Sequence, residues 1–348
     1  MLKGRGAQIH TNNKFLQNTY DKFHIEGIDC FELENPKTTF IPTSAKTLVH
    51  KVESPDVGMV YSANPYQGCE HGCIYCYARN SHEYWDYDAG LDFETKILIK
   101  NNAPLLFKTF ISKKNWDFTP IHLSGNTDCY QPAERKFKLT RQILELALKY
   151  NQPVSIITKN SLILRDLDIL KKLAEKNLIN VVVSLTSLNE ETRKNIEPRT
   201  VTAIQRLRII EILAENNIPV GVNIAPIIPG LTDHEIPKLL EVASIHGAKW
   251  ANYIILRLNG KIGDIFYNWL ETKYVDRKDK IWNAIKSCHD GNVNNSIFGQ
   301  RMKGSGKIAE IINTNFKLHC RKFNLSNTPP ALQTNHKIDI KKTQLSLF

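Results

Sequence analysis

The sequence has no apolar run long enough to span a bilayer. Its first residues, MLKGRGAQIHTNNKF, lack the apolar centre of a secretory signal. These two absences predict a cytoplasmic protein without membrane contact, in a reducing compartment where clustered thiols serve metals or catalysis rather than disulfides. Cysteine is scarce, with seven in 348 residues. Four are scattered, at Cys30, Cys129, Cys288 and Cys320. The other three, Cys69, Cys73 and Cys76, fall within eight residues of NPYQGCEHGCIYCYAR. Three thiols that close together cannot all pair with one another, but they can all face one metal centre.

What is present is a 42% hydrophobic chain with a formal charge of +11. That size and composition suit one large α/β domain or two small ones. The charge is uneven: nine Lys/Arg against two Asp/Glu leave +7 in the last 48 residues. A basic balance favours polyanionic partners such as DNA or RNA, although surface lysines also serve solubility alone.

Residues 1–57 are polar and aperiodic and read as an N-terminal extension wrapped on the core, with one short strand at KTLVHKV. GMVYSA then leads into the cysteine loop. After it, β-branched runs alternate with segments of three-to-four residue apolar repeat: ETKILIK, PIHLSG, PVSIIT, NVVVSLT, PVGVNIAPII and WANYIILRL are strands, each but the last followed by a helical stretch. Alternation of this kind predicts parallel βαβ units. Six or seven units suit a partial (β/α)6-type barrel or a doubly wound sheet. Either gathers its site at the carboxyl ends of the strands. The polar residues there are the cysteine loop, Gly125–Asp128 with Cys129, Thr158–Asn160, Ser184 with Thr186, and Ala225–Gly230. The barrel is placed at residues 58–260, a basic helical region at 261–325, and a flexible linker with a terminal peptide at 326–348.

Thiolates at the Cys69-x3-Cys73-x2-Cys76 spacing hold zinc or an iron–sulfur cluster. Zinc wants a fourth ligand, which His71 offers. Without it, three thiolates suggest a four-iron cluster with one open iron. The loop, with Tyr75 just before the third cysteine, closely resembles the radical S-adenosylmethionine superfamily. Together with GNTDCYQPAE, TKNSLILRDLDIL, SLTSLNEETRKNIEPRT and APIIPGLTD, it is similar to the spore photoproduct lyase-like branch over about Ser54 to Leu258. The N-terminal GRGA and SPD fit an uncharacterised bacterial subgroup of that branch.

The resemblance implies a [4Fe-4S] cluster on Cys69, Cys73 and Cys76, and S-adenosylmethionine chelated to its open iron. One electron, from a donor such as flavodoxin or ferredoxin, would cleave the sulfonium to a 5′-deoxyadenosyl radical. It implies Tyr75 beside the adenine, Asn126, Thr127 and Asp128 near the cofactor's amino group, and Lys159 on its carboxylate. Ser184 would lie on the ribose and Arg199 near the carboxylate, unless Glu197 and Arg199 form a structural ion pair. In that branch a free cysteine gives a hydrogen atom to the substrate radical and a tyrosine helps return it. Cys129 and Tyr77 stand at about those places, although a buried strand-end cysteine also packs as a small hydrophobe. Tyr84, Trp85 and Tyr87 either stack on an extruded base or cover the core.

The terminal Gln344, Leu345, Ser346, Leu347 and Phe348 resemble the peptide by which bacterial DNA polymerases and repair proteins bind the sliding clamp. Apolar anchors on a polar leash suit such docking. The resulting expectation is a radical enzyme acting on DNA, at a photolesion or damaged base. The alternatives are an RNA-modifying radical enzyme, a non-catalytic iron–sulfur adaptor recruited to the clamp, and a zinc-stabilised nucleic-acid-binding module.

Overall fold

The computed structural model describes residues 2–16 and 36–334. Cys30 and the terminal QLSLF peptide lie outside those residues. Among the described residues ten strands are formed: β1 (Thr39–Thr43), β2 (Val49–Lys51), β3 (Tyr61–Ala63), β4 (Tyr66–Gln67), β5 (Lys96–Lys100), β6 (Ile121–Leu123), β7 (Val154–Thr158), β8 (Ile179–Ser184), β9 (Val220–Ile227) and β10 (Ala251–Ile255).

Seven of them build one open sheet in the order β10-β9-β8-β7-β6-β3-β2. Six run parallel, and β2 joins β3 antiparallel at one edge. This is a partial barrel of six parallel strands. Buried β-branched and leucine side chains fill its inside and the layer under its helices, Ile121, Ile156, Val181, Val183, Val222 and Ile224 among them. Strands covered on both faces read as continuous apolar runs, which is why VVV and VSII were legible.

Two of the helices start where side chains close their free backbone donors. Thr202 and Gln205 form a reciprocal capping box ahead of the helix Ala203–Glu215, and Asn189 caps Glu190–Ile196. No helix among the described residues is long and apolar enough to cross a membrane.

Two expectations change. Of ETKILIK only Lys96–Lys100 is a strand, Glu94 and Thr95 ending a short helix, and β5 is not part of the parallel series. It lies between β1 and β4 in a separate three-stranded sheet, parallel to β1 and antiparallel to β4. That pairing sets the small sheet against the start of the cysteine loop, because β4 leads directly into it. The described part of the N-terminal extension supplies β1 as well as the expected strand β2, and Gly6 and Ala7 pack beside the cysteine loop.

The region after Gly260 forms the helices Ile262–Lys273, Lys278–Ser287 and Gly306–Lys322. Between them the chain returns to the sheet. The Ile255 N–H donates to the Met302 carbonyl at 2.9 Å, and the Leu258 N–H to the Val293 carbonyl at 2.9 Å. The basic Gly-rich loop thereby becomes a wall of the barrel mouth.

Candidate active site

The cysteine loop is fixed from several sides. The Cys69 N–H donates to the Phe93 carbonyl at 2.8 Å, and the Ile74 N–H to the Ile196 carbonyl at 3.1 Å. Arg79 reaches back to the Cys73 carbonyl at 2.9 Å and pairs with Glu94 at 2.5 Å, both side chains being fully buried. Glu94 also accepts from the Gly6 and Ala7 N–H groups at 3.0 and 2.8 Å. A Cβ on Gly6 would lie 1.8 Å from the Gly72 carbonyl oxygen, so the backbones touch there and only glycine fits.

Cys69, Cys73 and Cys76 all line a cavity of about 390 Å³ at the carboxyl ends of the parallel strands. Burial pushes all three thiols up in pKa, and Lys159 pulls Cys73 and Cys76 back in part. Such thiols become thiolate ligands only when a metal brings compensating positive charge.

A tetrahedral zinc needs a fourth ligand beside the three thiols. His71 does not supply it. Its Nε2 faces the Asn160 amide at 3.1 Å and its Nδ1 faces Asp128 at 3.5 Å. Three thiols on one cavity with no fourth ligand from His71 suit a cluster with one open position.

Tyr75 lines the cavity, and its hydroxyl donates to Glu197. Glu197 also accepts from Thr186 at 2.7 Å and forms a fully buried ion pair with Arg206. Burial alone would raise the Glu197 carboxyl, but Arg206, Lys159 and the Tyr75 hydroxyl hold it down at about 2. Arg206 donates to the Ser184 carbonyl at 3.0 Å, which joins the aromatic ring to the end of β8. The ion pair anticipated between Glu197 and Arg199 does not form, because Glu197 pairs with Arg206 and Arg199 faces Glu70.

Lys159 and Ser184 line the cavity. Burial disfavours the Lys159 charge, but Cys73 and Glu197 keep its pKa above the ordinary lysine value. No described residue accepts a hydrogen bond from its ammonium, so it is available to an anionic ligand. Asn126, Thr127 and Asp128 also line the cavity. Asn126 is bonded to Gln67 and Ser81, and Thr127 to the Tyr66 carbonyl. The Asp128 oxygens accept from the Thr158 hydroxyl at 2.9 Å, the Lys159 N–H at 2.8 Å and the Tyr130 N–H at 2.9 Å. Asp128 thus ties the end of β6 to the end of β7, with most of its acceptor capacity in use.

Tyr77 sits on the lip, half exposed, and donates to the Gly125 carbonyl at 2.6 Å.

Five candidate residues lie away from the cavity. Arg199 does not line it. Its guanidinium is 3.8 Å from Glu70 and its N–H donates to the His71 carbonyl, so it braces the cysteine loop from outside. Cys129 is fully buried and belongs to the main core. Its backbone is held between the Ser124 and Thr140 hydroxyls at 2.9 and 2.6 Å, on the far side of the loop whose Asp128 faces β7. Tyr84, Trp85 and Tyr87 are also outside the cavity. Tyr87 stacks on His82, and Tyr84 lies exposed against Phe15.

Sequence reasoning missed several lining residues: His122, Asn223, Arg257, Arg301 and Met302. The first two carry buried polar atoms with no partner among the described residues, His122 Nε2 and Asn223 Oδ1. They sit inside strands that read as apolar, where a lone polar residue is the only signal. Arg301 and Met302 come from the loop that returns to β10, a contact sequence does not announce.

Residues 63–243 match the family model described as Radical SAM superfamily. An uncharacterised protein of Mycobacterium tuberculosis is 32% identical over 235 residues, 67% of this chain and 69% of that protein. An uncharacterised protein of Methanocaldococcus jannaschii is 32% identical over 263 residues, 75% of this chain and 94% of that protein. Among solved structures, a spore photoproduct lyase complexed with dinucleoside spore photoproduct aligns with a TM-score of 0.63 at 15% identity, covering 84% of this chain and 82% of that one. A mutant of that lyase with bound AdoMet and the same photoproduct aligns with a TM-score of 0.62 at 14% identity over the same shares.

Proposed function

Because the chain belongs to the radical SAM superfamily, whose members use a [4Fe-4S] cluster and S-adenosylmethionine, we propose that it is a cytoplasmic radical enzyme acting on DNA, at a photolesion or another damaged base. The observation that carries this reading is the convergence of three cysteines, Tyr75, Lys159 and Ser184 on one cavity. When bound, the cluster and S-adenosylmethionine supply one-electron cleavage to a 5′-deoxyadenosyl radical. The chain's own part is to hold and enclose. Cys69, Cys73 and Cys76 would ligate the cluster. Lys159 presents an unused ammonium to the cofactor's carboxylate. Tyr75 offers a ring whose tilt is fixed by Glu197, and the buried walls keep water and stray hydrogen donors out. A pure adaptor has no use for such a cavity.

The net charge of +11 and the fold likeness to a lyase complexed with a photoproduct support a nucleic-acid substrate. DNA is favoured over RNA by the terminal QLSLF peptide, which would tether the enzyme to a sliding clamp. Deleting residues 344–348 should abolish clamp capture and leave cofactor cleavage unchanged; capture that survives the deletion removes the tether.

The direct test is 5′-deoxyadenosine formation by anaerobically reconstituted protein with S-adenosylmethionine and dithionite, with and without ultraviolet-irradiated DNA. Product that rises with irradiated DNA, accompanied by photoproduct loss, is the expected result. Equal product with and without DNA would discard the DNA assignment, and stimulation by RNA alone would replace it.

A further inference from the structure

Arg257 follows β10, and the backbone on both sides of it is pinned. The Leu256 N–H donates to the Ile227 carbonyl at 2.9 Å, and the Leu256 carbonyl faces His289 Nε2 at 2.7 Å. The Leu258 N–H donates to the Val293 carbonyl. The Arg257 side chain lines the cavity with Tyr77 and Gly125, half-buried, three strands away from the β7 end that carries Lys159.

Its charge is not matched there. The nearby carboxylate is Asp56, and Asp56 is already in use. It accepts from Arg301 Nε at 2.6 Å and from the Gly299 N–H at 2.7 Å. Arg301 is further held by Ser54 and by the Phe298 ring, 4.3 Å below its guanidinium. Arg257 has no acceptor within hydrogen-bond or ion-pair reach among the described residues. Burial and the neighbouring Arg301 both act against its charge, yet a guanidinium does not lose its proton in proteins. One carboxylate thus stands near two guanidinium groups at the lip and is bonded to only one of them. A ligand with two anionic oxygens would satisfy the free donors in the bidentate geometry that arginine prefers.

We propose that Arg257 forms an anion subsite at the cavity lip that takes a phosphate of the substrate, apart from the cofactor's carboxylate at Lys159. The assignment of that phosphate to nucleic acid rests on the reading above; the anion subsite itself does not.

The test uses phenylglyoxal labelling of the cluster-reconstituted full chain under anaerobic conditions, with Arg257 followed by peptide mass spectrometry. The probes are inorganic phosphate, single-stranded dT10 and S-adenosylmethionine, each against sodium chloride of equal ionic strength. At four times its Kd, phosphate should slow Arg257 labelling about fivefold by occupancy, and dT10 should do the same. Protection by phosphate without protection by dT10 keeps the subsite and discards nucleic acid. Protection by S-adenosylmethionine but not by phosphate would assign the arginine to the cofactor and overturn the proposal, as would protection by none of the three. A binding measurement gives the second arm. Arg257→Gln should lower the slope of log affinity for dT10 against log salt by about 0.7, the loss of one phosphate contact, while Arg257→Lys retains it. An unchanged slope in Arg257→Gln removes the phosphate contact.

Discussion

Tyr75 donates its hydroxyl to Glu197, a carboxylate buried against Arg206. One residue of the cysteine loop is thereby locked to the segment after β8, more than a hundred positions away. The loop's aromatic ring cannot reorient without breaking a buried, charge-assisted hydrogen bond.

Replacing Glu197 by Gln should therefore be costly. It leaves the Arg206 guanidinium buried without its counter-charge, and breaking one side of such a pair typically costs about 3–5 kcal/mol. Urea unfolding of the metal-free protein should show that loss. Tyr75→Phe removes only a neutral donor and should cost about 1–3 kcal/mol, because Thr186 and Arg206 still serve the carboxylate.

Acid should destabilise the protein in two stages. His82 and His122 are buried, and burial lowers each from 6.5 to about 4. Both stay neutral in the fold while the unfolded chain takes up protons, so stability present above about 6.5 falls as pH drops to about 4. Glu197 acts lower. Its carboxyl is held at about 2 in the fold against about 4.3 unfolded, so its contribution is present above about 4.3 and is lost towards 2. Urea midpoints at pH 7, 5 and 3 check both stages. His122→Gln should shrink the first, leaving the His82 share, and Glu197→Gln should remove the second.

Cys129 and Cys76 should differ in reactivity. In metal-free protein, iodoacetamide should label Cys76, which is partly exposed on the cavity wall, and spare Cys129, which is fully buried. Mass spectrometry of the native-labelled protein settles the order. Rapid labelling of Cys129 would put it back in the cavity.

Gly6→Ala should dislodge the N-terminal segment. A methyl 1.8 Å from the Gly72 carbonyl meets backbone rather than a flexible side chain. Overpacking of that kind costs about 1–3 kcal/mol. Faster limited proteolysis within residues 2–16, with a lower Tm, is the expected signature.

Much of this arrangement was legible in the sequence for local reasons. Cys69, Cys73 and Cys76 announce themselves by spacing, and strands such as β8 and β9 by continuous apolar runs. Lys159 and Ser184 follow from standing at strand ends. What was not legible depends on contacts between distant segments. The loop after β6 bends so that Asp128 faces β7 and Cys129 the core, and sequence alone does not give that phase. Glu197 pairs with Arg206 rather than with the nearer Arg199, because Arg206 on its helix points back under β8. Arg257 is conspicuous only once Asp56 is seen to be taken by Arg301, 245 positions along the chain.

Glu94 joins two parts of the chain through one carboxylate: the Gly6 and Ala7 amides on one side and Arg79, which grips the Cys73 carbonyl, on the other. Order in the cysteine loop and seating of the N-terminal segment are therefore linked equilibria. Whatever free energy a bound cluster lends to the loop through that carboxylate is returned, in equal measure, as tighter seating of residues 6 and 7. Protection of the Gly6 and Ala7 amides from hydrogen exchange should therefore rise when the metal centre is assembled.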